Sequence, residues 1–274
     1  LARIGQAGKI NLGYAVDSQP FSYRDNAGHA TGYTVALCER IAAQVKSELK
    51  LAALSVQWVP VTPQERFVAV REHRVDLLCG EADTLTGRKQ IAFSIPTYPG
   101  GLGAMVRADA SPALKEVLTG GRAPTRPLWR ATPAQILSAQ TISVVAGSTT
   151  ERWVETKLAQ LEIPAKIVPV SNVDAGIGDV IDRKANVMFA ERSILLAAAT
   201  RAPFGDQVTV LDRRFTYAPV AIGFAQGEDD LRLVVDRTLS RLFVSTEFRG
   251  LYTTWFGQPD QDAQRFFSVV ALPE

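Results

Sequence analysis

The stretch "LLCGEADTLTGRKQIAFSIPTY", residues 77–98, opens on the apolar end of a strand and then sets Glu81, Asp83, Thr84, Thr86 and Arg88 close together. The apolar run "IAFSIPTY" (91–98) follows at once. Hydrogen-bonding groups placed directly after a buried strand suit the carboxyl edge of an open α/β sheet, where ligands bind. Arg88 falls where the loop is expected to enter a new helix, so its guanidinium and the helix's free amides can face one anion together. Arginine grips a carboxylate through two parallel hydrogen bonds, which lysine cannot imitate. A solvated surface arginine is the bland alternative.

Working outward, "KINLGYAV" (9–16) reads as a first strand, and "QPFSYRDNAGHATG" (19–32) carries Pro, Asp-Asn and Gly turn signals. From Thr34, an expected N-cap, Val35, Cys38, Ile41, Ala42, Val45 and Leu49 recur at helical spacing. A strand at 54–61, a helix at 63–73 and the strand "VDLLC" (75–79) continue the alternation, which implies an α/β lobe with a mostly parallel sheet. The segment 108–140 is rich in proline and contains a Gly-Gly pair, so it reads as a connection or excursion. A second α/β series follows: strand 141–147, helix 150–161, strand 165–170 and a helix ending near Arg183. "RKANVMFAERS" (183–193) then echoes "HRVDLLCGEAD" (73–83), with a basic residue, Asn or Asp, four strand residues and a Glu. The chain closes with strand 219–226 and a helix from about Asp229.

The 274 residues, 46% hydrophobic, suffice for two ordinary domains. Thirty basic against 28 acidic residues give a formal net charge of +2 without like-charge runs, which argues against nucleic acid or an anionic membrane as partner. Apolar stretches such as "SILLAAA" (193–199) fall short of the roughly 20 residues that cross a bilayer. A start at Leu1 suits a processed or trimmed protein. Two cysteines, Cys38 and Cys79, permit one disulfide or two buried thiols. Cys38 lies on the apolar face of the first helix and Cys79 ends the strand beneath it, which leads us to expect the bridge.

In "AGSTTE" (146–151) a strand passes through Gly147 into Ser148 and Thr149 at a helix start, exposing amides and hydroxyls, or forming an ordinary N-cap. Glu191, ending its strand, suits an ammonium or simply opens the next helix. Phe21 and Tyr23 either wall an apolar part of a pocket or belong to the core. His29 and His73 adjoin no Cys or acid at metal-ligand spacing, and no G-x-S-x-G, P-loop or G-x-G-x-x-G occurs. No metal, cofactor or catalytic residue is therefore expected.

Together these positions resemble the bacterial extracytoplasmic solute-binding proteins for polar amino acids, the receptors that feed ABC importers. "LGYAVDSQPFSYRDNAGHATGYTVALCERIA" is similar to that family's opening strand, Pro-Phe turn and entry to the first helix. "RVDLLCGEADTLTGRKQIAFSIPTY" resembles its Asp-strand-Gly segment, ligand-binding Arg and Phe-Ser-x-Pro-x-Tyr run, and "GSTTERWV", "ANVMFAE" and "LYTTWFG" match later landmarks. The resemblance implies that Arg88 binds the α-carboxylate, that Ser148 and Thr149 assist, and that Glu191 holds the α-ammonium. Glu191 is one methylene longer than the usual Asp, and Glu81 stands where Ser or Thr is usual. Arg66, in "VTPQER", resembles the basic residue by which the glutamate/aspartate-binding branch holds a side-chain carboxylate, and the "CG" after the strand points to that branch too. Arg66 is thus expected either to receive an acidic side chain or to pair with Glu81. Pairing is preferred, because Glu81 left unpaired beside an anionic ligand is desolvated and repelled.

What the resemblance implies is a two-lobed Venus-flytrap fold of the periplasmic-binding-protein type, with lobe one at 1–105 and 220–274, lobe two at 106–219, and two hinge crossings. Closure on an amino acid then presents a shape to a membrane permease. The expected protein is extracytoplasmic, a monomer and not an enzyme. The alternatives are a periplasmic arogenate or prephenate dehydratase using Glu81, Asp83 or Glu191 as acid or base, and the sensing module of a larger receptor.

Overall fold

The structure, a computed structural model, describes residues 1–120, 132–201 and 203–273. The chain divides into two compact units, Leu1–Pro99 with Ala218–Glu274, and Gly100–Tyr217. These divisions lie earlier than the expected 105/106 and 219/220. The reason is that the strand Leu102–Arg107 pairs wholly within the second sheet, between Val187–Glu191 and Val208–Val210.

The first unit begins with α1 (Ala2–Ala7), β1 (Lys9–Tyr14), the small strands β2 (Asp17–Ser18), β3 (Ser22–Arg24) and β4 (Ala30–Thr31), and α2 (Tyr33–Glu48). Then come β5 (Ser55–Pro60), α3 (Arg66–Arg71), β6 (Leu77–Ala82), α4 (Leu85–Arg88) and β7 (Ala92–Phe93). In the second unit β8 (Leu102–Arg107), α5 (Pro112–Thr119) and α6 (Pro133–Ser138) precede β9 (Thr141–Val145), α7 (Thr149–Gln160), β10 (Lys166–Val170) and α8 (Val173–Ile181). That unit ends with β11 (Val187–Glu191), α9 (Arg192–Ala199) and β12 (Val208–Val210). The chain returns to the first unit with β13 (Val220–Phe224), α10 (Asp229–Phe243), α11 (Thr246–Phe256) and α12 (Gln261–Val270). Of the expected 108–140 excursion, α5 and α6 are helical, and residues 121–131 lie outside the described residues.

Each unit is built on one five-stranded sheet, ordered β5-β1-β6-β13-β7 in the first and β10-β9-β11-β8-β12 in the second. Within each sheet the strands that alternate with helices pair in parallel, while β13 and β8, the strands that enter after a crossing, run antiparallel. The sequence echo is therefore structural. β6 and β11 hold the same place, and the residues before them do the same work. Asp76 accepts a hydrogen bond from the Asn11 amide (2.7 Å) and its own amide donates to the Asn11 carbonyl (2.8 Å). Asn186 exchanges the same pair of bonds with Thr141, both at 2.8 Å. His73 and Arg183 both take positive φ, 56° and 63°.

The helix α2 buries Tyr33, Val35, Leu37, Cys38, Ile41 and Val45, a spacing that turns one face to the sheet. Each large aliphatic buried there contributes about 1.5–3 kcal/mol. Its N-cap is Gly32, not Thr34. Thr34 is fully buried, its hydroxyl shared between the carbonyls of Phe21 (2.9 Å) and Cys79 (3.0 Å). The helix expected over 63–73 is confined to 66–71, because Thr62–Glu65 forms a turn whose Glu65 side chain accepts from the Thr62 amide at 3.3 Å.

One irregularity in β6 decides where its last side chains go. Ala221 of β13 is paired with Glu81 and Ile222 with Cys79, so Gly80 is an extra residue, a bulge. Gly80 has φ of 92°, and a Cβ there would lie 2.7 Å from the Thr34 hydroxyl, so only glycine fits. Below the bulge, Leu78 packs with Phe67, Val70 and Ile91, on the α3 side, whereas Cys79 turns to α2 and is bonded to Cys38, Cα to Cα 6.1 Å. Two residues along an unbroken strand, Glu81 shares the face of Cys79. The bulge instead delivers it to the α3 side.

The Cys38–Cys79 bridge spans a sequence separation of 41, and a loop of that size constrains the unfolded chain by about 3–4 kcal/mol. Urea denaturation with and without reductant is expected to show a lower midpoint for the reduced protein. Two titratable thiols in unfolded, unreduced protein would exclude the bridge.

Candidate functional site

The carboxyl edge of the first sheet gathers residues that follow two of its strands, β5 and β6. Arg66 opens α3 shortly after the end of β5, Glu81 lies at the end of β6, and Asp83 and Arg88 flank α4. Arg66 Nε lies 2.6 Å from Glu81 Oε2, the two side chains only 8% and 12% exposed. The Nε–H is not aligned on that oxygen, so charge and burial hold this contact rather than a directed Nε hydrogen bond. The guanidinium also lies 4.5 Å above the Phe67 ring centroid, a cation–π contact. Of the two roles expected for Arg66, the structure shows the pairing with Glu81.

Arg88 is not at the start of a new helix. It is the last residue of the single turn α4, whose N-cap Thr84 accepts from the Gly87 amide at 3.0 Å, so helix amides do not join its guanidinium. Asp83 orients it instead. Nε donates to Asp83 Oδ1 at 2.6 Å and Nη2 to Oδ2 at 2.5 Å, a side-on bidentate grip by a carboxylate that is 5% exposed. These bonds raise the guanidinium above its ordinary pKa. The Asp83 amide is tied to the Pro219 carbonyl (2.8 Å) and Gln226 Nε2 donates to the Arg88 carbonyl (2.9 Å), so residues flanking β13 on either side brace both ends of the turn. Arg88 remains 56% exposed, and among the described residues Nη1 makes no hydrogen bond. A guanidinium held by its Nε edge keeps its terminal edge for a second carboxylate.

The carboxyl edge of the second sheet carries Ser148, Thr149 and Glu191. After β9 the chain turns through Gly147, φ 72°, into Ser148, the N-cap of α7. Ser148 Oγ accepts from the Glu151 amide (3.1 Å), and Glu151 Oε2 accepts from the Gly147 amide (2.6 Å). The residues thus form the N-cap that the bland reading anticipated, with Glu151 closing the loop. Among the described residues the Ser148 and Thr149 hydroxyls donate to no acceptor. Glu191 ends β11 and caps α9: Oε1 accepts from the Ser193 amide (3.1 Å) and Oε2 from the Gly101 amide (2.6 Å). Burial pushes its carboxyl above the usual carboxylate range, and the two amide donors and the charge of Arg214 only partly offset that. The Ser193 side chain also bonds this carboxylate, and a carboxylate held by donors alone suits an ammonium better than a second anion.

Phe21 belongs to the first unit's interior. Its ring is 5.0 Å from Tyr98 and 5.5 Å from Phe256, and Tyr23 stands edge-on to Trp255 at 6.2 Å. The sequence reading missed the side-on role of Asp83, the Glu151 clamp on Gly147 and the charge of Arg214 near Glu191. An acid five residues before an arginine was the legible trace of the first. Among the described residues no cluster of three metal-ligating side chains occurs and no helix is long and apolar enough to cross a membrane.

Residues 10–258 match the family described as bacterial extracellular solute-binding proteins, family 3. Relatives are named as binding proteins. An L-glutamate/L-aspartate-binding protein of Pseudomonas aeruginosa is 24% identical over 261 residues, 94% of this chain and 80% of that one. A glutamate/aspartate import solute-binding protein of Escherichia coli is 20% identical, with the same coverage, 94% and 80%. Among solved structures, an ancestral amino acid-binding protein that is a precursor of cyclohexadienyl dehydratase superposes with TM-score 0.75 at 23% identity, covering 93% of this chain and 98% of that one. An ancestral arginine-binding protein bound to arginine gives 0.73 at 19% identity, covering 91% and 99%. The two units, each a mixed sheet with helices, are the fold of these two-lobed binding proteins. With the match running from the first strand to the end of α11, the chain belongs to the bacterial extracellular solute-binding proteins, family 3.

Proposed function

We propose that the protein binds an α-amino acid outside the cytoplasm and delivers it to the membrane permease of an ABC importer. The observation that carries this reading is the guanidinium of Arg88, gripped from the side by Asp83 with its terminal edge open. An α-carboxylate fits that edge through two parallel N–H···O bonds. The Ser148 and Thr149 hydroxyls supply neutral donors to the same carboxylate, and Glu191 accepts the α-ammonium. The names of the relatives, glutamate/aspartate-binding and amino-acid-binding, support the ligand class. Their being binding proteins favours transport over the dehydratase alternative.

A thermal-shift screen against the amino acids is expected to find a ligand that raises the melting temperature, since binding only to the native state stabilises it. Arg88→Ala removes both of the charge-assisted hydrogen bonds to the α-carboxylate and is expected to weaken that ligand at least about tenfold, more than about 1.4 kcal/mol. A loss below about threefold in calorimetry removes Arg88 from the site. If no amino acid shifts the transition, the reading fails.

The pH dependence follows from Glu191. Its carboxyl titrates above the ordinary range in the free protein, and an ammonium binds the ionised form, so ligand binding lowers its pKa and releases a proton. Affinity is therefore full above the raised pKa and falls as pH drops through it, by up to about tenfold per unit. Glu191→Gln, which does not titrate, is expected to bind weakly and without that slope. A wild-type slope retained in Glu191→Gln assigns the effect to another group.

A further inference from the structure

We infer that Asp83 is the positioning residue that makes Arg88 select a zwitterion over an anion: by neutralising the guanidinium it leaves directed hydrogen bonds, and no net charge, to hold a ligand. This rests on the amino-acid-binding function proposed above and adds to it the class of competitor that the site refuses. The two charges are matched one to one. Asp83 is 5% exposed, and among the described residues its carboxylate accepts only from Arg88, through Nε at 2.6 Å and Nη2 at 2.5 Å. The match is also fixed. Asp83 follows β6 directly with its amide on the Pro219 carbonyl, the Thr84 hydroxyl accepts from the Gly87 amide, and Gln226 holds the Arg88 carbonyl. Gly87 is buried, and a Cβ there would stand 3.1 Å from the Phe93 ring and 3.3 Å from the Thr84 hydroxyl, so the turn is tight. Acid and base thus lie five positions apart on one anchored turn, and the guanidinium does not leave the acid to meet an anion.

Shape does not choose between anions at the open edge, because sulfate and phosphate accept two parallel N–H bonds from an arginine as a carboxylate does. The choice falls to charge. An unmatched guanidinium attracts any anion through its net field, a divalent one most strongly. Beside Asp83 that field is reduced to a dipole, and the acid's own charge repels whatever anion approaches. A strongly hydrated divalent anion then gives up water for two hydrogen bonds and little else. An α-amino acid carries no net charge, so it forfeits nothing to a neutral pair and keeps the two directed bonds.

Calorimetry with sodium sulfate on the whole chain, at an ionic strength held constant with sodium chloride, tests this without using the amino acid. Wild-type protein is expected to bind sulfate at Arg88 no more tightly than about 10 mM. Asp83→Asn, which keeps the side chain's size and one acceptor for Arg88, is expected to bind it at least about tenfold more tightly than wild type. Adding Arg88→Ala to that variant is expected to erase the gain. Asp83→Ala serves as a second variant with the same expectation. A residue that merely held the turn would change stability and leave the affinity for sulfate where it was. Sulfate bound by wild type as tightly as by both variants overturns the inference, as does a gain that survives Arg88→Ala, and either result leaves amino-acid binding standing. Wild-type binding of sulfate tighter than about 10 mM that is lost in Arg88→Ala overturns it without any Asp83 variant, so a variant that fails to fold does not shield it. A thermal-shift screen in which no amino acid responds overturns the proposed function, and the choice of a zwitterion with it, whatever sulfate does.

Discussion

The constraint on which the candidate site depends is a single residue's worth of slippage between β6 and β13. Gly80 has no partner on β13, and its positive φ lets the strand pass Thr34 at a distance that a side chain would not allow. The residues before it obey one alternation and those after it another. Cys79 can then lock β6 to α2 while Glu81 reaches α3, and the chain leaves the sheet aimed so that the Asp83 amide meets Pro219. The disulfide, the buried ion pair and the anchored α4 turn all follow from that one break in register. Bulges gather beside functional sites because they re-aim side chains without lengthening the strand.

Electrostatically, the carboxyl edges of the two sheets handle charge in opposite ways. In the first unit positive charge is supplied by arginine and moderated by acids that hold it in place. In the second a carboxylate is held by the backbone amides of Ser193 and Gly101 and lies within the field of Arg214. Fixed dipoles stabilise an anion without neutralising it, which keeps its charge for a ligand. Burial raises the carboxyl's pKa for the same reason that it makes an arriving ammonium worth more than it is in water.

Much of this was legible in the sequence. Strands of a mostly parallel sheet are buried on both faces and read as apolar runs, so their order and the alternation with helices were apparent. The echo of 73–83 in 183–193 marked equivalent strands because both copies need a side-chain carbonyl or carboxylate oxygen, Asp76 or Asn186, to bind an amide of the neighbouring strand. Other features were not legible, for physical reasons. Thr34 looked like an N-cap, since a hydroxyl ahead of an apolar periodicity usually is one; here a glycine begins the helix and tertiary packing claims the hydroxyl. The arginine of "TLTGR" was recognisable, but the helix expected after it stops at Arg88 itself, with the chain passing through Ile91 into β7. Arg66 with Glu81 was accessible as a charge argument, whereas the side-on geometry of Asp83 and Arg88 depends on backbone anchors to residues more than a hundred positions away.

The placement of β13 bears on how the chain acquires its structure. The second unit is one continuous segment, 100–217, and everything its sheet needs has been synthesised once β12 has emerged. The first unit is not continuous. Its sheet has β13 between β6 and β7, so until residues 220–224 exist β7 has no neighbour and β6 has an open edge, with Ile91 and Phe93 missing their cover from Ala221. During synthesis the amino-terminal half must therefore wait, incompletely paired, while more than a hundred residues of the other unit are made. Such an open, apolar edge is where transient association with other chains begins. Folding of this protein thus runs out of sequence order: the inserted middle can settle first, and the beginning of the chain is completed by its end.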